Sequence, residues 1–491
     1  MNISLEIGLL VGSLLILGSI LISKTGYRFG IPTLLMFLLA GMFFGCDGLG
    51  IQFNNTAQAQ YIGTIALSII LFSGGMDTKI SDIRPVIFPG ISLSTIGVLV
   101  TAALTGLFIY GISGWQHTEI GFSLLGSLLL AATMASTDSA SVFNILRTQR
   151  INLKNNLRPL LELESGSNDP MAYMLTIVLI QCIQSGGMPD WTIAGSFVLQ
   201  FVVGGIGGFL LGKAVVWIIN HINLKNEELY PVMAISFVFI IYCSTFLLKG
   251  NGYLAVYIAG LVIGNSRLFH KKEISTFLNG MTWLLQVALF LILGLLVNPH
   301  EMLGVTLTAV LVAIFMIFVA RPISVWVSLL PFGNKINVRS KLFISWVGLR
   351  GAAPILFATY PVVAEVNGAN QIFSIVFFVT LLSLVFQGMT LPWAARKLDL
   401  TAPLSEEKDF FGIEFPDTMD SSLHELPCTE KMLANGDHIK DIPFPKGVLV
   451  MLVKRNDKFI VPNGNLQLKP GDILLIVAQD GTAPPSSLTT A

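Results

Sequence analysis

The chain has 491 residues, with 29 Lys and Arg against 29 Asp and Glu, so its formal net charge is zero. Hydrophobic types make up 53 %, charged types 12 %, and the mean hydropathy is +0.74, whereas soluble domains carry about 25 % charged residues. This composition points to an all-α polytopic membrane protein and gives no case for a nucleic-acid or acidic partner. Cys46, Cys182, Cys243 and Cys428 are scattered singly and the six His are isolated, which offers neither a disulfide framework nor metal-ligand spacing.

A helix crossing about 30 Å of hydrocarbon needs about 20 apolar residues. Candidate spans cover 4–23, 31–46, 59–76, 85–110, 119–146, 158–184, 190–219, 229–248, 252–265, 276–297, 302–330, 340–361 and 367–395, about thirteen transmembrane helices in all. No small-residue cleavage site follows the first, which reads as a retained span. With the N-terminus outside, the inner loops hold Lys24, Arg28, Lys79, Arg84, Arg147, Arg150, Lys154, Arg158, Lys225, Arg267, Lys271, Lys272, Lys335, Arg339 and Lys341, and the outer loops only Lys249. That bias sets the orientation, and a miscounted span would scramble it.

After the membrane domain, 1–397, residues 398–430 read as an acidic linker. Residues 431–480 carry β-prone runs VLVMLV, KFIV and ILLIVA between turn signals RND, PNGN and KPGD, a small cytoplasmic β-rich α/β domain. The tail, 481–491, reads as disordered.

Charged groups inside spans are costly and mark pathways or partners. At a rise of 1.5 Å per residue, Asp169 lies about 15 Å from the inner face, and Asp138 and Arg350 about 14 Å, all near the midplane; Glu164 is shallower, at about 7–8 Å. TMASTDSAS in the fifth span and GLRGAAP in the twelfth read as interrupted helices. Broken, crossing helices at matching places in two inverted repeats, spans 1–6 and 8–13, are a transporter arrangement. Glu164 with Arg350 is read as a structural ion pair, and Glu162 as a helix-entry acid. Asp138 and Asp169 are left with hydroxyl and amide oxygens, which suit protons and alkali cations. Asp77, in GGMDTK, is a candidate ion entrance, with a boundary acid beside Lys79 as the plainer alternative. GGIGG, Gly204–Gly208, lies inside an apolar span and reads as a helix-packing patch.

At these residues the chain resembles the cation/proton antiporters, specifically the NhaP-type bacterial branch related to eukaryotic sodium/proton exchangers. The motifs that carry the resemblance are Thr137–Asp138; Glu164, Ser165, Asn168 and Asp169 in ESGSND; GLRGA with Arg350; and the stretches FQGMTLP and NGYLAVYIAGLVIGN. The C-terminal domain resembles the regulatory RCK or TrkA C-terminal type, a layout typical of bacterial potassium/proton antiporters. The resemblance implies that Asp169 is shared by cation and proton and that Asp138 is a second acid. It also implies that Ser165 and the Thr137 main chain supply oxygens, and that Glu164 pairs with Arg350. Asn168 stands where electrogenic relatives carry a second aspartate, which implies electroneutral exchange of one cation for one proton. No cofactor or resident metal is implied, nor any enzymatic activity. Potassium is favoured as the cation, with sodium open. A homodimer in the bacterial inner membrane and a regulatory nucleotide at the C-terminal domain complete the expectation.

Three rival classes are weaker. A channel would show a filter such as TVGYG, which is absent from the sequence. A solute symporter would need Arg350 free of Glu164. A membrane sensor would need an output motif.

Overall fold

A computed structural model describes residues 10, 12–18 and 20–21, then 32–402 and 421–479, leaving out 46, 52, 54, 115–120, 150, 187–190, 430–431, 434–435, 443, 445–446 and 457. Half of the first expected span, Lys24, Arg28, Arg150, much of the linker and the tail therefore lie outside the described residues. The chain divides into two compact units, Met1–Leu404 and Ser405–Ala491.

The first unit is helical. Its helices are α1 (Thr33–Phe44), α2 (Thr56–Asp77), α3 (Ile80–Ile112), α4 (Leu124–Thr133), α5 (Ser139–Thr148), α6 (Leu157–Gln184), α7 (Trp191–His221), α8 (Leu229–Leu247), α9 (Gly252–Gly264), α10 (Lys271–Leu295), α11 (Thr306–Gly333), α12 (Val338–Trp346), α13 (Ala352–Val363) and α14 (Ala369–Lys397). By length and composition, seven helices among the described residues can cross a membrane: α2, α3, residues 195–221 of α7, α8, α10, α11 and α14. α1, α4, α9 and α13 are shorter apolar helices. α6 is long enough at 28 residues, but the ESGSNDP stretch gives it a polar middle.

Side-chain caps start several helices. Asn55, Ser123, Asn251 and Asn337 accept from the backbone N–H three residues on, at 2.9, 3.2, 3.1 and 2.7 Å, each satisfying a donor the helix cannot. Small residues let helices approach closely. A Cβ on Gly75 would stand 2.5 Å from the Tyr257 carbonyl oxygen, so α2 and α9 touch backbone to backbone. Gly204 and Gly208 of α7 meet the α9 backbone at Asn251 and Ala255, the packing role expected for GGIGG.

α3 and α11 each contain a π-helical segment, Leu93–Gly97 and Met316–Ala320. The two helices exchange hydrogen bonds beside these segments: Ser92 Oγ donates to the Ser328 carbonyl at 2.7 Å, and Ser324 Oγ to the Gly97 carbonyl at 2.8 Å. Phe108 and Phe315 stack at 4.0 Å further along.

The first unit runs past residue 397, where the sequence ended it. The strands β1 (Asn152–Leu153) and β2 (Thr401–Ala402) pair antiparallel, and the Lys154 N–H donates to the Leu400 carbonyl at 2.9 Å. These bonds tie residues 400–402 to the helical unit.

In the second unit, β3 (Ser421–Pro427), β4 (Val448–Arg455), β5 (Lys458–Ile460) and β6 (Ile473–Gln479) form an antiparallel sheet of order β3-β6-β4-β5, with an irregularity between Val450 and Leu452. Leu426, Cys428, Val453, Leu474 and Ile476 are among its core residues. β3 corrects the sequence reading, which placed linker over 398–430. Its seven residues pair along β6, and that partner, about 50 residues on in the sequence, carries no local signal in β3 itself.

Candidate functional site

Two helices are interrupted where the sequence expected. Residues 134–138 separate α4 from α5, and residues 347–351 separate α12 from α13. The breaks join each other: the Asp138 N–H donates to the Leu349 carbonyl at 2.8 Å. Irregular backbone at membrane depth needs such partners, because lipid offers none. Gly351 makes the crossing possible, since a Cβ there would overlap the Asp138 side chain.

Each break leaves helix ends with partial charges, positive at N-termini and negative at C-termini. Asp138 caps the start of α5: its carboxylate accepts from the Ser141 N–H at 3.2 Å and from Ser141 Oγ at 2.6 Å. Arg350 serves the opposite end. Its guanidinium donates to the Ser136 carbonyl, and its N–H to Ser383 Oγ at 3.1 Å. Ser383 Oγ donates onward to Gln387 Oε1 at 2.6 Å, and Gln387 Nε2 to the Trp346 carbonyl at 2.8 Å. One acid and one base thus stand at the two breaks: Asp138 caps the start of α5, and Arg350 holds the Ser136 carbonyl within the break between α4 and α5.

α6 lies alongside and completes the cluster. Ser165 Oγ donates to the Thr137 carbonyl at 2.8 Å and accepts the Ser139 N–H at 2.9 Å. Asn168 Nδ2 donates to Thr137 Oγ1 at 2.6 Å. Thr137, Asp138, Ser165, Asn168 and Asp169, singled out in the sequence, therefore meet at one place. Asp169 Oδ1, Asn168 Oδ1 and Ser136 Oγ are buried there, none in full hydrogen-bond geometry, with the Ser136 hydroxyl facing the Asp169 carboxylate. Such atoms are destabilising unless something else fills the need, and all three are oxygens able to ligate a hard cation. Asp77 is not part of this group. At the end of α2, it accepts from Ser275 Oγ of α10 at 3.2 Å.

The expected Glu164–Arg350 ion pair is corrected. Glu164 pairs instead with Arg321 of α11, at 2.5 Å between Oε1 and Nη2, with side chains 2 % and 5 % exposed. Arg321 follows directly on the π-helical segment of α11, and Arg350 is committed to Ser136. Arg321 and Arg350 line one small cavity with Gly348, Ser383 and Gln387. Sequence reasoning missed Arg321, although the signal was there: an arginine in the middle of the apolar span 302–330 is a functional-site flag by itself. Arg158, by contrast, lies at the start of α6 and donates to Glu162 at 2.9 Å.

Two broken helices crossing through their main chains, with a carboxylate-bearing oxygen cluster beside the crossing, define a membrane carrier for cations and protons. The chain belongs to the sodium/hydrogen exchanger family, whose transmembrane domain matches residues 12–397; a TrkA-C domain matches residues 434–483. The K(+)/H(+) antiporter NhaP2 of Shewanella baltica is 37 % identical over 480 residues, covering 96 % of this chain and 81 % of that protein. The K(+)/H(+) antiporter NhaP of Alkalimonas amylolytica is 36 % identical, covering 99 % and 84 %. The solved structure of the sodium proton antiporter MjNhaP1 of Methanocaldococcus jannaschii superposes with a TM-score of 0.69 at 23 % identity, covering 81 % of this chain and 99 % of that one. That likeness establishes the helical antiporter fold.

Proposed function

We propose that the protein exchanges potassium for protons across the membrane, one for one and without net charge movement. Asp169 is the carboxylate that holds either the proton or the cation. The observation that carries this reading is the buried Asp169 oxygen out of full hydrogen-bond geometry, next to oxygens of Asn168 and Ser136 in the same state. One carboxylate holding one monovalent ion at a time moves no net charge when the two trade places. Ser165 and Asn168 fix the Thr137 backbone and hydroxyl around the site, and Asp138 balances the α5 helix end. Asp77 stands at the inner entrance.

Potassium is preferred over sodium on the names of the relatives above and on the TrkA-C domain. The matching breaks, together with π-helical segments in both α3 and α11, support two inverted repeats over about thirteen spans. We place the chain as a homodimer in a bacterial inner membrane, N-terminus outside and C-terminal domain cytoplasmic, with a nucleotide as the ligand of that domain.

The test is proton movement in everted vesicles from an antiporter-deficient host. Collapse of an imposed pH gradient on adding potassium, lost in Asp169→Ala and Asp169→Asn, is the expected result. Collapse with sodium alone keeps the mechanism and changes the ion. Normal exchange by either variant refutes the role of Asp169.

A further inference from the structure

Gly166, Asp169 and Tyr173 fall on one face of α6 at intervals of three and four residues. α9 lies against this face and presents two tyrosines one turn apart. Tyr257 covers Gly166, where a Cβ would overlap its ring, and Tyr253 meets Tyr173 edge to face at 4.9 Å. Asp169 therefore lies between two tyrosine layers.

The layers differ. On the far side of Asp169 from the N-terminus of α6, Tyr173 also meets Tyr360 at 5.3 Å and Phe357 at 6.0 Å. Tyr253, fully buried, donates its hydroxyl to Thr64 Oγ1 at 3.2 Å and lies 3.2 Å from the Tyr360 hydroxyl. Thr64 and Tyr360 close the triangle at 3.3 Å. Thr64 Oγ1 gives its own proton to the Gln60 carbonyl of α2 at 2.9 Å, so it accepts from Tyr253, and the Tyr360 hydroxyl donates into the pair, all three without water. Near the start of α6, by contrast, the buried Tyr257 hydroxyl faces Ser167 in the polar ESGS stretch and belongs to no such cluster.

The three hydroxyls also come from two bodies of the fold. Thr64 and Tyr253 sit on α2 and α9, which are locked backbone to backbone through Gly75. Tyr360 sits on α13, which leaves the helix crossing, and Tyr173 sits on α6, which carries Asp169. Within the first of these bodies the helices pack backbone to backbone. Between the two bodies, at this layer, lie ring edges, hydroxyl bonds, the Leu356 side chain of α13 against Gly63 of α2, and one bond from Asn251 Nδ2 to the Pro170 carbonyl of α6 at 2.8 Å.

We propose that Thr64, Tyr253 and Tyr360 form a hydroxyl latch that seals the outer approach to Asp169 and opens once in each transport cycle. The inference rests on the antiport reading above and on the N-terminus-outside orientation, which turns this layer outward. On that side the cation meets the ordered rings of Tyr173, Tyr253 and Phe357, so a closed latch blocks it.

The test uses the full-length protein carrying Tyr253→Phe, Tyr360→Phe or Thr64→Val, each of which removes a hydroxyl and keeps the packing volume. Half-saturating potassium is measured separately at the outer and inner faces, in right-side-out and everted vesicles. Loss of the latch raises the minor outward-open population, so the outer half-saturating concentration falls about tenfold while the inner one changes by less than about twofold. A change of equal size at both faces, or none, in variants that insert at wild-type levels, overturns the latch. If the wild type itself collapses no gradient with any cation, the antiport reading has failed and the latch with it. If the wild type exchanges and the variants show no sidedness, only the latch has failed.

Discussion

Replacing Arg321 by Met removes one half of a nearly fully buried ion pair. Its Nη2 and Glu164 Oε1 are 2.5 Å apart, with both side chains at most 5 % exposed, and Glu164 Oε2 already lacks a partner. Stranding a buried charge costs about 3–5 kcal/mol, whereas replacing both partners by neutral groups of similar size is near neutral or stabilising. Glu164→Gln, Arg321→Met and the double variant therefore form a cycle with a coupling energy of about 2 kcal/mol or more. The same cycle with Arg350→Met gives a smaller coupling, because that guanidinium is spent on the Ser136 carbonyl. The assay is unfolding of the purified protein in detergent, followed by tryptophan fluorescence at all four corners of each cycle. Stronger coupling of Glu164 to Arg350 than to Arg321 would refute the pairing.

Gly351→Ala pushes a methyl group into Asp138, and an error of about 1 Å near a reacting centre costs on the order of 100-fold in rate. Cation-dependent gradient collapse should fall at least about tenfold with the protein still inserted, whereas Gly348→Ala, which meets only the Arg321 side chain at 3.0 Å or more, should be milder; equal effects would count against the crossing as the sensitive point. In the C-terminal domain, burial pushes the Asp472 carboxyl up, but the Arg455 fork at 2.8 and 2.6 Å and the Lys469 N–H at 2.8 Å outweigh it and hold it below its ordinary 3.8. A depressed carboxyl contributes stability that is present above the unfolded value and lost as pH falls through the folded one. Amide exchange in β6 should therefore show a protection gap between wild type and Asp472→Asn that is constant above about pH 5 and shrinks below about pH 4; a gap that does not change with pH would show that the ion pair is not its source.

The helices were legible because lipid demands apolar runs of a set length, and the breaks because small hydroxyl residues and glycines interrupt those runs. Asp138 and Asp169 could be brought together from depth alone, since rise per residue converts position in a span to height; Thr137, Ser165 and Asn168 joined them through the family resemblance. Height says nothing of azimuth, and azimuth decided the partner of Glu164. Arg350 lies at a suitable depth for it, but Arg321, turned inward after a π-helical segment, is the residue that faces it. An extra residue in a helical turn rotates everything beyond it, and no local composition announces that. β3 was hidden for a related reason: its pairing with β6 depends on a distant partner strand.

The bond from the Asp138 N–H to the Leu349 carbonyl joins two main chains. Side-chain changes at either residue cannot delete it; at residue 138 only proline, which lacks the N–H, removes the donor. Gly351 apart, where a side chain would collide with Asp138, the side chains around the crossing can therefore change over generations, retuning which ion is admitted, while the backbone bond from which they hang is kept.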